Sequence, residues 1–302
     1  MYKFTLVVLS FFLFNPLLFP QLVMGQSSGE YHFAGDHTLI SFVGVPNKKL
    51  NNREFLESVM TEAMNASHAT LLKQTAFTNS QSKHSVIGIL QESHGSLHAH
   101  PGPEGKGEAI IDLFTCGDHC KWGPFLDVLE SELKPRAYDL RHFKRRAVTF
   151  EQYHRPMDPD LHRVCGDVKK PSSDSPDYLH FFGSFLNCNN AAINNIPALK
   201  RAIETGVTMI DSKVEEAIDH VFTPQGYTGA WIFSQANDQR GQVTIHTYPS
   251  DTGLVRDGKV FIDVMGGLDM DYHLVMHHLQ HYLQCEDIDS KVYRRNIVSM
   301  PL

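Results

Sequence analysis

A serine that follows a glutamate, a histidine five positions on, and a cysteine at the end of an apolar run make up the most chemically loaded part of this chain. The stretch reads Leu90-Gln91-Glu92-Ser93-His94-Gly95-Ser96-Leu97-His98, and Ile111-Asp112-Leu113-Phe114-Thr115-Cys116-Gly117 follows it. A hydroxyl, an imidazole and a thiol together allow covalent chemistry that none of them performs alone. Part of the segment recurs. Ser96-Leu97-His98-Ala99-His100-Pro101 aligns with Thr244-Ile245-His246-Thr247-Tyr248-Pro249, and Ile111-Asp112-Leu113 with Ile262-Asp263-Val264. In that register Ser93 falls opposite Gly241 and Cys116 opposite Gly267, so the second copy lacks both reactive groups.

The elements that must position these residues repeat in the same order. In the first unit, 37–44 reads as a strand. A helix follows at 51–65, with Phe55, Val59, Met60 and Met64 at helical spacing, then strands at 85–90, 96–98 and 109–115, and a helix at 124–133. The second unit gives a strand at 178–186, a helix at 196–208, strands at 230–234, 242–247 and 259–264, and a helix at 272–283. Between them, 151–177 is rich in Pro, Asp and Ser and reads as a linker. The predicted fold is α+β: two repeated α/β units with antiparallel sheets, forming a pseudo-two-fold αββα sandwich. The predicted boundaries are a signal peptide at 1–25, a first repeat at 26–150, the linker at 151–177 and a second repeat at 178–302.

At 302 residues and a formal charge of −7, the chain has the length for a substantial core and lacks the basic balance of a nucleic-acid binder. Lys3 precedes an apolar run over 4–14, and Val23-Met24-Gly25 offers small residues before Gln26. This reads as a cleaved secretory signal, which predicts a secreted protein or one in the secretory-pathway lumen, with no membrane attachment after cleavage. An uncleaved anchor is the other reading; Pro16 and Pro20 count against a long spanning helix. Five cysteines leave one thiol free, and the chemistry nominates Cys116, although Cys120 four residues on makes a disulfide the alternative. Asn65-Ala66-Ser67 is a glycosylation sequon. His273, His277 and His281 share a helix face and read as a solvated stripe rather than a metal site; no metal is predicted. The run 141–146 reads as a solvated face or a protease-sensitive linker.

The motifs Glu92-Ser93-His94 and Phe114-Thr115-Cys116-Gly117, with Phe222-Thr223-Pro224-Gln225-Gly226-Tyr227-Thr228-Gly229 and Ile245-His246-Thr247-Tyr248-Pro249, resemble those of the S-adenosylmethionine decarboxylase family in its bacterial form. The likeness spans 33–134 and 178–284. It implies self-cleavage between Glu92 and Ser93, with Ser93 becoming a pyruvoyl group that holds the substrate amine as a Schiff base and acts as electron sink. It implies Cys116 as the proton donor, His246 and the Thr228 hydroxyl as processing groups, and His98 as a structural counterpart. Phe222, assisted by Phe33, would stack on adenine. Two positions depart from the family: Tyr248 and His100 stand where it has tryptophan, and Ser250 stands where it has a ribose-binding glutamate, with Asp251 adjacent. The first unit's Phe77-Thr78-Asn79-Ser80 diverges from the Phe-x-Pro-x-Gly motif, so each half is expected to have kept what the other lost. The implied reaction makes the decarboxylated aminopropyl donor for polyamine synthesis. The alternatives are a pyruvoyl decarboxylase of ornithine or arginine, or a secreted, non-enzymatic binding module on the same scaffold. The implied partner is a small-molecule substrate, and a homodimer is possible.

Overall fold

The computed structural model describes residues 34–116, 120–146, 150–151, 178–222, 226–235, 240–250, 254–267 and 270–295. The first half runs β1 (Ala34–Pro46), α1 (Asn47–Leu50), α2 (Arg53–Ala66), β2 (Leu71–Thr78), β3 (His84–Leu90), β4 (Ser93–His100), β5 (Lys106–Cys116), α3 (Trp122–Leu133), β6 (Ala137–Arg146) and β7 (Phe150–Glu151). The second runs β8 (Tyr178–Asn189), α4 (Asn190–Asn194), α5 (Ile196–Met209), β9 (Ser212–Phe222), β10 (Gly226–Gln235), β11 (Arg240–Tyr248), β12 (Arg256–Gly267), α6 (Tyr272–Leu283) and β13 (Asp287–Arg295). The first sheet is ordered β2-β3-β4-β5-β1-β6-β7 and the second β9-β10-β11-β12-β8-β13. Apart from the two-residue β7, the two orders are the same.

Alternation along the strands gives each sheet two unlike faces. On β4, Leu97 and Ala99 join the core that α2 and α3 cover, and on β5 Ile111 and Leu113 do the same. On β11 and β12, Val243, Ile245, Ile262 and Val264 pack against α5 and α6. The intervening residues lie on the other face, where the sheets meet, and they are polar: His94, Ser96, His98, Asp112, Gln242, Thr244, His246 and Asp263 are all buried. The helices therefore cap apolar outer cores, and the chemistry lies between the sheets.

The helices begin and end as their sequences dictate. Asn52 caps α2 by accepting the Phe55 amide, and Asn195 caps α5 by accepting that of Ala198. Gly88 on β3 and Gly95 on β4 lie opposite each other, and a Cβ on either would come within 2.8 Å of the Met64 side chain of α2. Their lack of a side chain lets α2 seat close to the strand that begins with Ser93.

The sequence reading missed β2, β6, β9 and β13. β2 and β9 are edge strands with few fully buried residues, so their alternation is weak. The run 141–146, read as a solvated face or linker, is instead part of β6; its alternation turns Phe143 and Arg145 into the interior. The predicted signal peptide, residues 152–177 of the predicted linker, Phe33 and Asp251 lie outside the described residues. Among the described residues no helix is long and apolar enough to cross a membrane. His273, His277 and His281 are exposed on α6, while Val275, Met276, Leu279 and Leu283 are buried.

Cys188 near the end of β8 is joined to Cys285 beyond α6, while Cys116 and Cys120 are free thiols. The bridge closes a sequence separation of 97 residues. Loop-closure entropy sets its contribution at about 4–5 kcal/mol. A Cys188→Ala/Cys285→Ala chain should lose stability by up to that amount in equilibrium denaturant unfolding. An unchanged midpoint and slope would contradict the bond's role.

Candidate active site

Ser93 opens β4 and Cys116 closes β5, and these are antiparallel neighbours in which Ser93 pairs with Thr115. The peptide bond before Ser93 is held at both sides. The Glu92 carbonyl accepts the Cys116 amide at 2.9 Å, and the Glu92 carboxylate accepts the Thr70 amide at 2.8 Å. Ser93 is 2% exposed.

The opposite sheet supplies a histidine. Thr228 on β10 pairs with His246 on β11, and the threonine Oγ1 lies 2.9 Å from His246 Nδ1. The other ring nitrogen, Nε2, lies 3.2 Å from Ser93 Oγ and 2.9 Å from His94 Nδ1. His94 Nε2 in turn lies 3.3 Å from Thr244 Oγ1 and 3.5 Å from Asp112. Asp112 also contacts His37 Nε2 and accepts from Gln242 at 3.2 Å. Tyr248, two residues beyond His246, brings its hydroxyl to 2.9 Å from Cys116 Sγ. Ser93, Cys116, Thr228, His246 and Tyr248 are thus brought together from four strands of two sheets. Phe222 is not placed among them: it ends the edge strand β9, half-buried, and among the described residues its ring partner is His220.

Burial sets the protonation states. It pushes His246 well below the usual histidine range, and His94, Arg145 and His37 reinforce that, so the ring is neutral near pH 7 with a lone pair to offer. Burial pushes the Cys116 thiol up to about 11, against the lowering effect of its Tyr248 hydrogen bond, so it stays protonated. Burial also pushes the Asp112 carboxyl up, but contacts from His37, His94 and His180 together outweigh it and keep the group ionised. Arg145 donates to Asp263 at 2.5 Å and lies over the Phe114 and Phe261 rings.

A second, pseudo-symmetric arrangement lies beside the first. Ser85 Oγ meets His98 Nδ1 at 2.9 Å, and His98 Nε2 meets Gln242 Oε1 at 2.9 Å, repeating the Thr228–His246–His94 chain with the halves exchanged. The first half has therefore kept its hydroxyl–histidine pair in Ser85 and His98, contrary to the expected division; the five-residue difference in spacing to the histidine hid it. This site lacks a reactive pair and is closed. Arg240 donates to Ser85 Oγ at 2.8 Å and to the Ala99 carbonyl at 2.7 Å. A Cβ on Gly241, the counterpart of Ser93, would stand 2.3 Å from the Met265 carbonyl.

Two buried triplets, His37–Asp112–His180 and His94–His246–Asp263, bring metal-ligand atoms within 4.8 Å of one another. In the second triplet Asp263 already holds Arg145; in the first, His37 Nε2 meets Asp112, Arg145 donates weakly to His37 Nδ1 at 3.5 Å, and neither His180 ring nitrogen has a hydrogen-bond partner among the described residues. A cation in His94–His246–Asp263 would have to displace the Arg145 guanidinium, so that triplet reads as hydrogen-bonded structure. The sequence reading had given no role to His94, Asp112 or Arg145. Their period-two spacing with Ser96, His98 and Phe143 was the available signal.

A model of the S-adenosylmethionine decarboxylase family matches residues 36–146 and 179–296. The S-adenosylmethionine decarboxylase proenzyme of Brevibacillus brevis is 38% identical over 106 residues, covering 35% of this chain and 77% of that protein. The arginine decarboxylase proenzyme of Aeropyrum pernix is 34% identical over 113 residues, 37% of this chain and 83% of that protein. Among solved structures, the adenosylmethionine decarboxylase of Aquifex aeolicus is 25% identical, covers 36% of this chain and 88% of its own, and has a TM-score of 0.33. Each of these proteins is matched over little more than a third of this chain.

The Arg145–Asp263 pair carries a direct test. Arg145→Met strands a buried carboxylate and should cost about 3–5 kcal/mol in equilibrium unfolding, and Asp263→Leu added to it should recover much of the loss. Additive losses would show that the pair is not coupled.

Proposed function

The chain belongs to the S-adenosylmethionine decarboxylase family, and on that premise we propose that it cleaves itself between Glu92 and Ser93 and then decarboxylates S-adenosylmethionine. The product would be the aminopropyl donor for polyamine synthesis. This reading stands on the Glu92–Ser93 peptide: its carbonyl accepts the Cys116 amide, and the Ser93 hydroxyl lies 3.2 Å from a neutral His246.

Attack of Ser93 Oγ on the Glu92 carbonyl places negative charge on that oxygen, where the Cys116 N–H already points. The hydrogen-bond pattern assigns the His246 proton to Nδ1, which donates to Thr228 Oγ1 and leaves Nε2 free to take the serine proton. His94 carries its own proton on Nε2, toward Thr244 Oγ1 and Asp112, and its Nδ1, 2.9 Å away, accepts the N–H that His246 gains at Nε2 when it takes the serine proton. A pyruvoyl group formed from Ser93 would supply the carbonyl that binds the substrate amine and the electron sink for loss of carbon dioxide. Cys116, held as a neutral thiol, is suited to returning a proton. Phe222, Tyr248, Phe33 and Asp251 are proposed as substrate contacts on the strength of the family motif.

A second reading, arginine as substrate, is favoured by the name of the Aeropyrum relative and by Tyr248 standing in place of the family's tryptophan. We also propose that the protein matures in an oxidising secretory compartment. The Cys188–Cys285 bond and the exposed Asn65 of the sequon support this. A glycosidase-sensitive mass on Asn65 in protein from secreting cells would test it; absence of that modification together with reduced Cys188 and Cys285 would count against it.

Intact mass of the wild-type chain should show two fragments meeting at Glu92/Ser93, and Ser93→Ala should stay whole; a wild-type chain at full mass would leave only the binding-module reading. Cys116→Ala should cleave yet lose turnover by about a hundredfold or more. Release of carbon dioxide from labelled S-adenosylmethionine, arginine and ornithine decides the substrate. Because the His246 pKa is lowered, the cleavage rate should stay level from pH 8 to below 6.5 and fall only at more acid pH. A fall centred at 6.5 would contradict the lowered pKa of His246.

A further inference from the structure

Cys116 and Tyr248 reach the same point from opposite sheets, with sulfur and phenolic oxygen 2.9 Å apart. Tyr248 stands where the family resemblance leads to tryptophan, whose indole has no hydroxyl. We propose that Tyr248 is a positioning residue for the Cys116 thiol: its O–H donates to the sulfur, leaves the S–H free to point at substrate, and stabilises the thiolate formed when that proton departs. The assignment rests on the reading of Cys116 as proton donor in a pyruvoyl-dependent decarboxylase.

Among the described residues, the geometry gives the tyrosine a task that no neighbour shares. The charged and titratable groups around the thiol are Arg145 from β6, Asp263 from β12, Glu92 from the segment before β4, and Cys120 before α3. Arg145 favours a thiolate, whereas Asp263 and Glu92 oppose one. Arg145 is already committed to Asp263, to the Gly183 carbonyl and to aromatic faces. The Tyr248 hydroxyl is the group that meets the sulfur directly, and burial holds its own proton far more tightly than usual, so it remains a donor across the working pH range. In the step itself the S–H bond breaks and its proton goes to the substrate carbon that has lost carbon dioxide. The bonding pair stays on sulfur, which a solvent proton restores after product leaves. A hydrogen bond to a charged partner in a buried site lowers the cost of that thiolate by about tenfold or more in rate.

The test compares full-length wild type, Tyr248→Phe, Cys116→Ala and the double variant. Cleavage is read by intact mass and kcat by carbon dioxide release across pH. Cys116 reactivity is followed by peptide-resolved alkylation with iodoacetamide from pH 6 to 11, in the processed protein and in the uncleaved Ser93→Ala chain. Tyr248→Phe should cleave to completion, shift Cys116 alkylation to higher pH in both backgrounds, and lower kcat by about tenfold or more. It should add nothing to Cys116→Ala. Superimposable alkylation curves, or an equal fold-loss of kcat with and without Cys116, would overturn the assignment while leaving the decarboxylase reading intact. A wild-type chain that never cleaves overturns the decarboxylase reading, and the assignment with it.

Discussion

Charge has been placed between two sheets where water does not reach, and everything in the site follows from the need to pair it. Arg145 crosses from β6 to Asp263 on β12, and both side chains are fully buried. It also donates to the Gly183 and Ile262 carbonyls. Arg295 makes the reciprocal crossing from β13 to the Ile40 and Ile111 carbonyls. The apolar contacts between the sheets are small clusters by comparison, such as Ile87 and Ile89 with Ala230 and Ile232. Apolar contact is tolerant of sliding, whereas a buried guanidinium meeting a carboxylate and two carbonyls is not. The polar interface therefore fixes the register that brings Ser93 within reach of His246.

That register is nearly two-fold, and its departures from symmetry carry the function. The two arginines, the hydroxyl–histidine pairs Ser85–His98 and Thr228–His246, and the order of strands all repeat. Asp112 and Asp263 are counterparts, yet Asp263 is taken by Arg145 while Asp112 gathers His37, Gln242 and His94. Once two copies lie in one chain, a change in one half is no longer imposed on the other. Arg240 could then enter the second site, where its donors meet Ser85 and the Ala99 carbonyl, with no substrate to exclude it. The result is one half-site that holds the serine and the cysteine, on a scaffold whose strand order repeats.

The sequence made the repeat and the strands β3, β4, β5, β8, β11 and β12 legible, because buried strands write their alternation plainly; the grouping of Ser93, Thr228 and His246 came from the family resemblance of their motifs. It concealed β2, β9 and β13, whose polar residues face outward at sheet edges and blur the period. It also concealed β6, because Arg141, Lys144, Arg145 and Arg146 look like a solvated run until Arg145 is seen to have a buried acceptor on another strand. That acceptor is far away in sequence, and no local pattern announces it. His94 was overlooked for a related reason: next to a candidate nucleophile it reads as part of a motif, and only the facing sheet shows that it grips His246.

The division between chemistry and substrate has the same physical origin. Ser93, His94, Thr228 and His246 lie on paired strands with partners on both sides, so altering one disturbs a neighbour from the opposite sheet. Cys116 and Tyr248 lie at strand ends, half-buried, where a side chain can change with less cost to packing. Proteins similar to this chain bear names with different substrates, arginine and S-adenosylmethionine, as such a division allows. Here the boundary runs through one contact. In the proposed mechanism Cys116 belongs to the chemistry and Tyr248 to the rim, and the hydrogen bond between them would let the rim residue act on the proton donor itself. On that proposal, a substitution at the rim would alter the rate of protonation as well as the choice of substrate.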